Sequence, residues 1–80
     1  MNDIEENIIE ALKELASDST VPKNIKEKIH KIVGILAADE DTSLKISKAM
    51  AELEEMSDDS NIQQYTRTQI YNIISMLEMI

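Results

Sequence analysis

Residues 14–36 read ELASDSTVPKNIKEKIHKIVGIL, and residues 55–77 read EMSDDSNIQQYTRTQIYNIISML. The two stretches align without a gap at an offset of forty-one residues. Leu12/Leu53, Glu14/Glu55, Asp18/Asp59, Ser19/Ser60, Ile29/Ile70, Ile32/Ile73 and Leu36/Leu77 are identical pairs. Ile9/Met50, Leu15/Met56, Val21/Ile62, Lys26/Arg67, Val33/Ile74 and Ile35/Met76 are conservative ones. A match at a fixed period marks a repeated supersecondary unit. Here the unit is a helical hairpin, because its apolar residues recur three and four apart on either side of a Ser/Asp/Thr linker. The repeat speaks to architecture and hardly at all to chemistry.

Working outward, the spacing predicts four helices. Helix 1 runs from about Asp3 to Ala16, with Asn2 as N-cap and Glu5 completing a capping box. Ile4, Ile8, Leu12 and Leu15, with Ala11 and Ile9, form its apolar stripe. Ser17 to Thr20 is a cluster of turn and cap formers. Pro22, tolerated only in a first turn, fixes the start of helix 2, which runs to about Ala37. Ile25, Ile29, Ile32, Val33 and Leu36 are its core positions. Lys23, Lys26, Lys28 and Lys31 make it the one basic helix, and its lysines are expected against the acidic flank of helix 1. Helix 3 runs from about Ser43 to Met56, capped by Asp41 or Thr42. Its core positions are Ile46, Ala49, Met50, Leu53 and Met56. Helix 4 runs from about Ile62 to the end, capped by Ser60 or Asn61, with Ile70, Ile73, Ile74, Leu77 and Ile80 inside. The short linkers make sequential helices antiparallel neighbours. The expected fold is therefore all-α: one domain over residues 1–80, a four-helix up-and-down bundle of two similar hairpins, about 2–38 and 42–80. A two-repeat solenoid is the rival, but two repeats are too few to cover its open ends.

Composition narrows the class further. The net charge is −8 with no cysteine, one glycine and one proline in 80 residues. Such an acidic balance argues against a nucleic-acid surface, which needs a basic footprint. No apolar run is long enough to span a bilayer, and the acidic start MNDIEEN lacks the basic opening of a signal peptide. The expected setting is soluble and cytoplasmic. Lacking disulfides, so small a core leans on idealised helix packing or self-association. A symmetric dimer would cover Met76, Met79 and Ile80.

Chemistry-bearing motifs are scarce. A single glycine cannot build a phosphate loop, and there is no paired metal-ligand spacing. His30 falls among lysines on the outer face of helix 2, with no partner to make it a base. Asp39-Glu40-Asp41 and Asp58-Asp59 lack the turn pattern of a calcium loop and read as caps and solvated turns. Asp18 and Asp59, at equivalent linker positions, read as turn-forming residues. Met50 and Met56 align with aliphatic partners and read as core filling. No cofactor, metal or catalytic residue is expected.

Helix 4 holds the exception. With the core direction passing near Ile70, Ile73 and Leu77, Tyr71 points roughly 135° away, flanked by Arg67 and Glu78. An exposed tyrosine beside an arginine is the composition enriched at interface hot spots. Tyr65 lies on the opposite flank and is expected against helix 3. Thr66 is the one polar residue in a core direction, and its hydroxyl is expected to bond back to a carbonyl one turn earlier.

The stretch Asn61-Ile62, then Tyr65 to Glu78 with its Thr66-Arg67-Thr68 segment, resembles the closing segment of a group of short archaeal proteins, uncharacterised protein family number 0147. Thr20-Val21-Pro22-Lys23-Asn24-Ile25-Lys26 resembles its other marked segment. The pattern of that family carries proline where this chain has Gln63 and tryptophan at Tyr71. The resemblance implies a small helical bundle and no assigned activity. It also points to Thr66, Arg67, Thr68 and Tyr71 as the residues that make the match.

The functional expectation is a non-enzymatic helical module that binds a protein partner, or itself, through the face of helix 4 around Arg67, Tyr71, Thr66 and Thr68. The alternatives are a small ligand-binding or enzymatic bundle with a polar site between helices, and a nucleic-acid-associated accessory protein using the lysines of helix 2.

Overall fold

A computed structural model describes residues 3–80. Its four helices are α1 (Asp3–Ala16), α2 (Lys23–Ala37), α3 (Thr42–Ser57) and α4 (Gln64–Glu78). Each packs on two neighbours, in the order α1–α2–α3–α4 and back from α4 to α1. The closing α1–α4 contact makes this a four-helix bundle rather than an open stack. Its extents are 32 × 20 × 18 Å, and a helix of 14–16 residues, about 21–24 Å long, spans most of the long axis. None of the helices in this described part is long and apolar enough to cross a membrane.

The core is the aliphatic stripe of the sequence, folded inward. Ile8, Leu12, Ile25, Ile29, Ile32, Ala49, Leu53 and Ile70 are fully buried, with Leu15, Leu36, Met56, Ile73 and Leu77 nearly so. Ile4, Ile9, Ala11, Val33, Ile46, Met50, Ile74 and Met76 pack around them, partly buried. Burying a side chain of this size contributes roughly 1.5–3 kcal/mol, so this stripe supplies the main drive to fold. Ile80 departs from its expected core position. The helix ends at Glu78, which leaves Ile80 exposed at the tip beside Met79.

The linkers differ in one respect from expectation. Helix α4 begins at Gln64, two residues later than the spacing predicts, and neither Ser60 nor Asn61 caps it. Its N-cap is Gln63, in extended backbone (φ −74°, ψ 157°) and with no side-chain cap bond. Pro22 holds the same position before α2, at φ −59° and ψ 150°. The residues before them, Ile62 and Val21, are buried in the core. Turning that apolar side chain inward requires an extended approach to the helix, so the helix cannot start at Ile62 itself.

Asp18 and Asp59 do form the turns. Asp18 Oδ1 accepts from the Thr20 amide (2.9 Å) and hydroxyl (2.7 Å), and Asp59 Oδ1 from the Asn61 amide (2.8 Å). Each is an Asx turn, which satisfies a loop amide that no helix can. Asp41 caps α3 by accepting from the Leu44 amide at 3.3 Å. Asn2, the expected cap of α1, lies outside the described residues.

Candidate functional site

The four residues singled out on α4 have separate fates. Tyr71 is half exposed on the outer face, and Thr68 is exposed beside it. Arg67 turns away from them, back across the α3–α4 linker. Its Nε donates to the Ser57 carbonyl (3.0 Å), Nη2 to the Asp59 carbonyl (3.0 Å) and Nη1 to Gln64 Oε1 (3.4 Å). Ser57 closes α3, where carbonyls lack intrahelical partners and the helix dipole favours a cation. Arg67 therefore fastens the start of α4 to the end of α3, so its hydrogen-bonding capacity is largely used within the fold.

Thr66 is fully buried, and its hydroxyl has no hydrogen-bond partner. The expected back-bond does not form. Thr66 stands in the first turn of α4, and the carbonyl four residues back belongs to Ile62, outside the helix. An unpartnered buried hydroxyl costs about 1–3 kcal/mol.

Tyr65 is 60% exposed and lies against α1 rather than α3. With Gln69 it forms one wall of a cleft of about 330 Å³ whose other wall is Ala11, Glu14, Leu15, Ser17 and Asp18. The placement follows from the ring of helices, in which one flank of α4 meets α3 and the other meets α1. Tyr65 thus meets α1 and not the expected α3, because a single helix's periodicity does not say which helix lies on which flank.

The basic face of α2 also meets a different partner. Lys28 bonds Glu55 (2.5 Å) and lies 3.9 Å from Glu52, and Lys31 pairs with Glu52 at 2.9 Å. Both carboxylates belong to α3, not to α1 as expected. The Glu55 hydrogen bond holds Lys28 above its ordinary pKa, and the Lys28 ammonium in turn holds Glu55 below its own. Asp18 is likewise lowered, first by the Thr20 amide, then by its hydroxyl. His30 is exposed on α2. Among the described residues no group of three or more His, Cys, Asp or Glu side chains is placed to hold a metal ion. Glu40 pairs with Lys48 at 3.1 Å.

At the far end of the bundle from Arg67, Leu44, Met79 and Ile80 are exposed, Met79 at 72%. Met76, expected with them, packs on the core instead.

Comparison with known proteins identifies relatives of the whole chain. The uncharacterised protein family UPF0147 matches residues 1–80. A UPF0147 protein of Archaeoglobus fulgidus is 35% identical over 75 residues, covering 94% of this chain and 86% of that one. One from Thermococcus kodakarensis is 32% identical and covers 100% and 99% of the two chains. In three dimensions the chain is similar to the crystal structure of a UPF0147 protein from Thermoplasma acidophilum, with a TM-score of 0.92, 32% identity and coverage of 96% and 92%. The crystal structure of a protein of unknown function designated MMP1188 is similar too, with a TM-score of 0.91, 34% identity and coverage of 98% and 90%.

Proposed function

This chain belongs to the uncharacterised protein family UPF0147, and we propose that it works as a non-enzymatic helical module that binds a protein partner through the outer face of α4. The observation that carries this reading is the placement of its tyrosines. The chain has two, with no Phe or Trp; both lie on α4 and both are at least half exposed. A small aliphatic bundle gains nothing in stability from leaving its largest rings in water, whereas rigid, amphipathic tyrosines are favoured anchors of interfaces. The interior supports the same reading, since among the described residues its buried polar side chains are the hydroxyls of Ser57 and Thr66.

The contact surface then centres on Tyr71 and Thr68, with Arg67 as a positioning residue and Thr66 beneath. The test is affinity capture with the immobilised chain, comparing Tyr71→Ala, Tyr71→Phe and the unaltered protein at equal helicity by circular dichroism. Capture should fall at least tenfold in the alanine variant and survive in the phenylalanine one. An unchanged set of captured proteins would place any interaction elsewhere.

Self-association is the second reading. It is supported by the exposed apolar side chains Leu44, Met79 and Ile80, and sedimentation over a range of protein concentrations tests it.

A further inference from the structure

Two opposite seams of the bundle carry the same carboxylates and treat them differently. On the α2–α3 seam, Glu55 accepts from the Lys28 ammonium at 2.5 Å and Asp59 Oδ2 from the Asn24 side-chain Nδ2 at 3.3 Å. On the α1–α4 seam the residues at the same forty-one-residue offset are Glu14 and Asp18 on the acidic side. Facing them, in place of Lys28 and Asn24, are Gln69 and Tyr65. The acids are retained and the ammonium is missing. Lys28 bridges to Glu55 across one seam, and the α1–α4 seam holds the cleft of about 330 Å³.

We infer that this α1–α4 cleft is a binding site for a primary ammonium carried on an alkyl stem, which enters as Lys28 does on the other seam. Glu14 takes part in no ion pair among the described residues. Asp18 lines the cleft and uses Oδ1 for its turn, so its acceptor capacity at Oδ2 is not taken by that turn. Lys26 acts on Asp18 only at a distance. The site lies at the C-terminal end of α1, where the dipole favours a cation. Leu15 gives the stem an apolar wall, and Tyr65 lines the same cleft with an aromatic ring, a group that attracts cations. Gln69 contributes a carbonyl acceptor and no charge of its own. The volume is at the small end for ligand sites, the right scale for one short aliphatic chain. The same chemistry is carried by a free alkyl diamine or by the lysine side chain of a partner.

Amide NMR titration at about 0.15 M salt, where long-range attraction to an acidic protein is screened, tests the inference with two probes. One is 1,4-diaminobutane and the other Nα-acetyl-lysine methylamide, with its Nε-acetylated form as a charge-free control. Either active probe should give saturable shifts confined to the region of Ser17, Asp18, Tyr65 and Gln69. Tighter binding of the diamine marks a free amine as the ligand; tighter binding of the lysine derivative marks a partner's side chain. Glu14→Gln should weaken binding about fivefold, the scale of one partly exposed ion pair. Gln69→Lys supplies the ammonium internally, so it should block both probes and raise the melting temperature. The inference is overturned if neither probe saturates, if shifts spread equally to the acidic turn at residues 39–41, or if a folded Gln69→Lys protein still binds both probes.

Discussion

Thr66 occupies the position that Ile25 fills in the first hairpin, and both are fully buried. The threonine keeps the shape of a β-branched core residue and adds a hydroxyl with nothing to bond. Thr66→Val removes that hydroxyl and preserves the volume, so it should stabilise the fold by about 1 kcal/mol or more, read as a rise in the denaturant midpoint at unchanged slope. Thr66→Ser, which keeps the hydroxyl and loses the methyl, should shift the midpoint the other way. The turn and seam charges predict the pH response. Because Asp18 and Glu55 are held below their ordinary values in the folded chain, their contribution is present above the ordinary carboxylate range of about 4. It is lost as pH falls through the lowered values. Lys28 has the opposite sign: held above its ordinary value, it stabilises below about 10.4 and loses that contribution as pH rises through the raised value. Thermal melts should therefore show Asp18→Asn flattening the acid limb and Lys28→Met flattening the alkaline one. The turn role of Asp18 was legible locally, but Lys28 and Glu55 did not stand out in the sequence as a pair, since i, i+3 and i, i+4 spacing describes one helix and these partners lie on two.

Among the elements, α2 contains an avoidable weakness. Gly34 lies within the helix and is exposed, and a methyl group built on it would meet nothing within 4 Å beyond its chain neighbours and the adjoining backbone of its own helix. Gly34→Ala should then stabilise by about 1 kcal/mol, the helix-propensity difference, measured by thermal or chemical denaturation. An unchanged or lowered midpoint would mean that helix propensity does not limit α2 at this position. Helices α1, α2 and α3 were legible to within a residue, because caps, Pro22 and apolar spacing agree there. The start of α4 was not. Ser60 and Asn61 are good caps by type, but the buried Ile62 forces an extended entry and moves the helix to Gln64. Arg67 was misread for a related reason. Its spacing from Tyr71 suggests a shared outer face, while the free carbonyls at the end of α3 drew it back.

For the whole molecule, charge and apolar surface act against each other. A net charge of −8 keeps copies apart by mutual repulsion, while Leu44, Met79 and Ile80 offer one end an apolar contact. Self-association through that end should strengthen as salt screens the repulsion. Sedimentation should show a concentration-dependent dimer fraction that rises with salt and disappears when Leu44→Lys and Met79→Lys are combined. A monomer at every concentration and salt would dispose of the end contact.

The sequence by itself determined that this chain is all-helical, with four helices, short linkers and an aliphatic interior. Those features follow from local periodicity and turn chemistry, which act between residues a few positions apart. It also carried, in its Thr66-Arg67-Thr68 and Thr20–Lys26 segments, the likeness that places the chain in its family. Only the tertiary structure decided which flank of each helix meets which neighbour. That assignment paired Lys28 and Lys31 of α2 with α3, turned Arg67 onto a linker, set Tyr65 over α1 and left the Thr66 hydroxyl without a partner. These outcomes depend on contacts between residues far apart in sequence, and period alone carries no information about them. The forty-one-residue offset held the one usable sign, a lysine and an asparagine in one half against a glutamine and a tyrosine in the other. It acquired meaning once the folded chain showed what Lys28 and Asn24 bind.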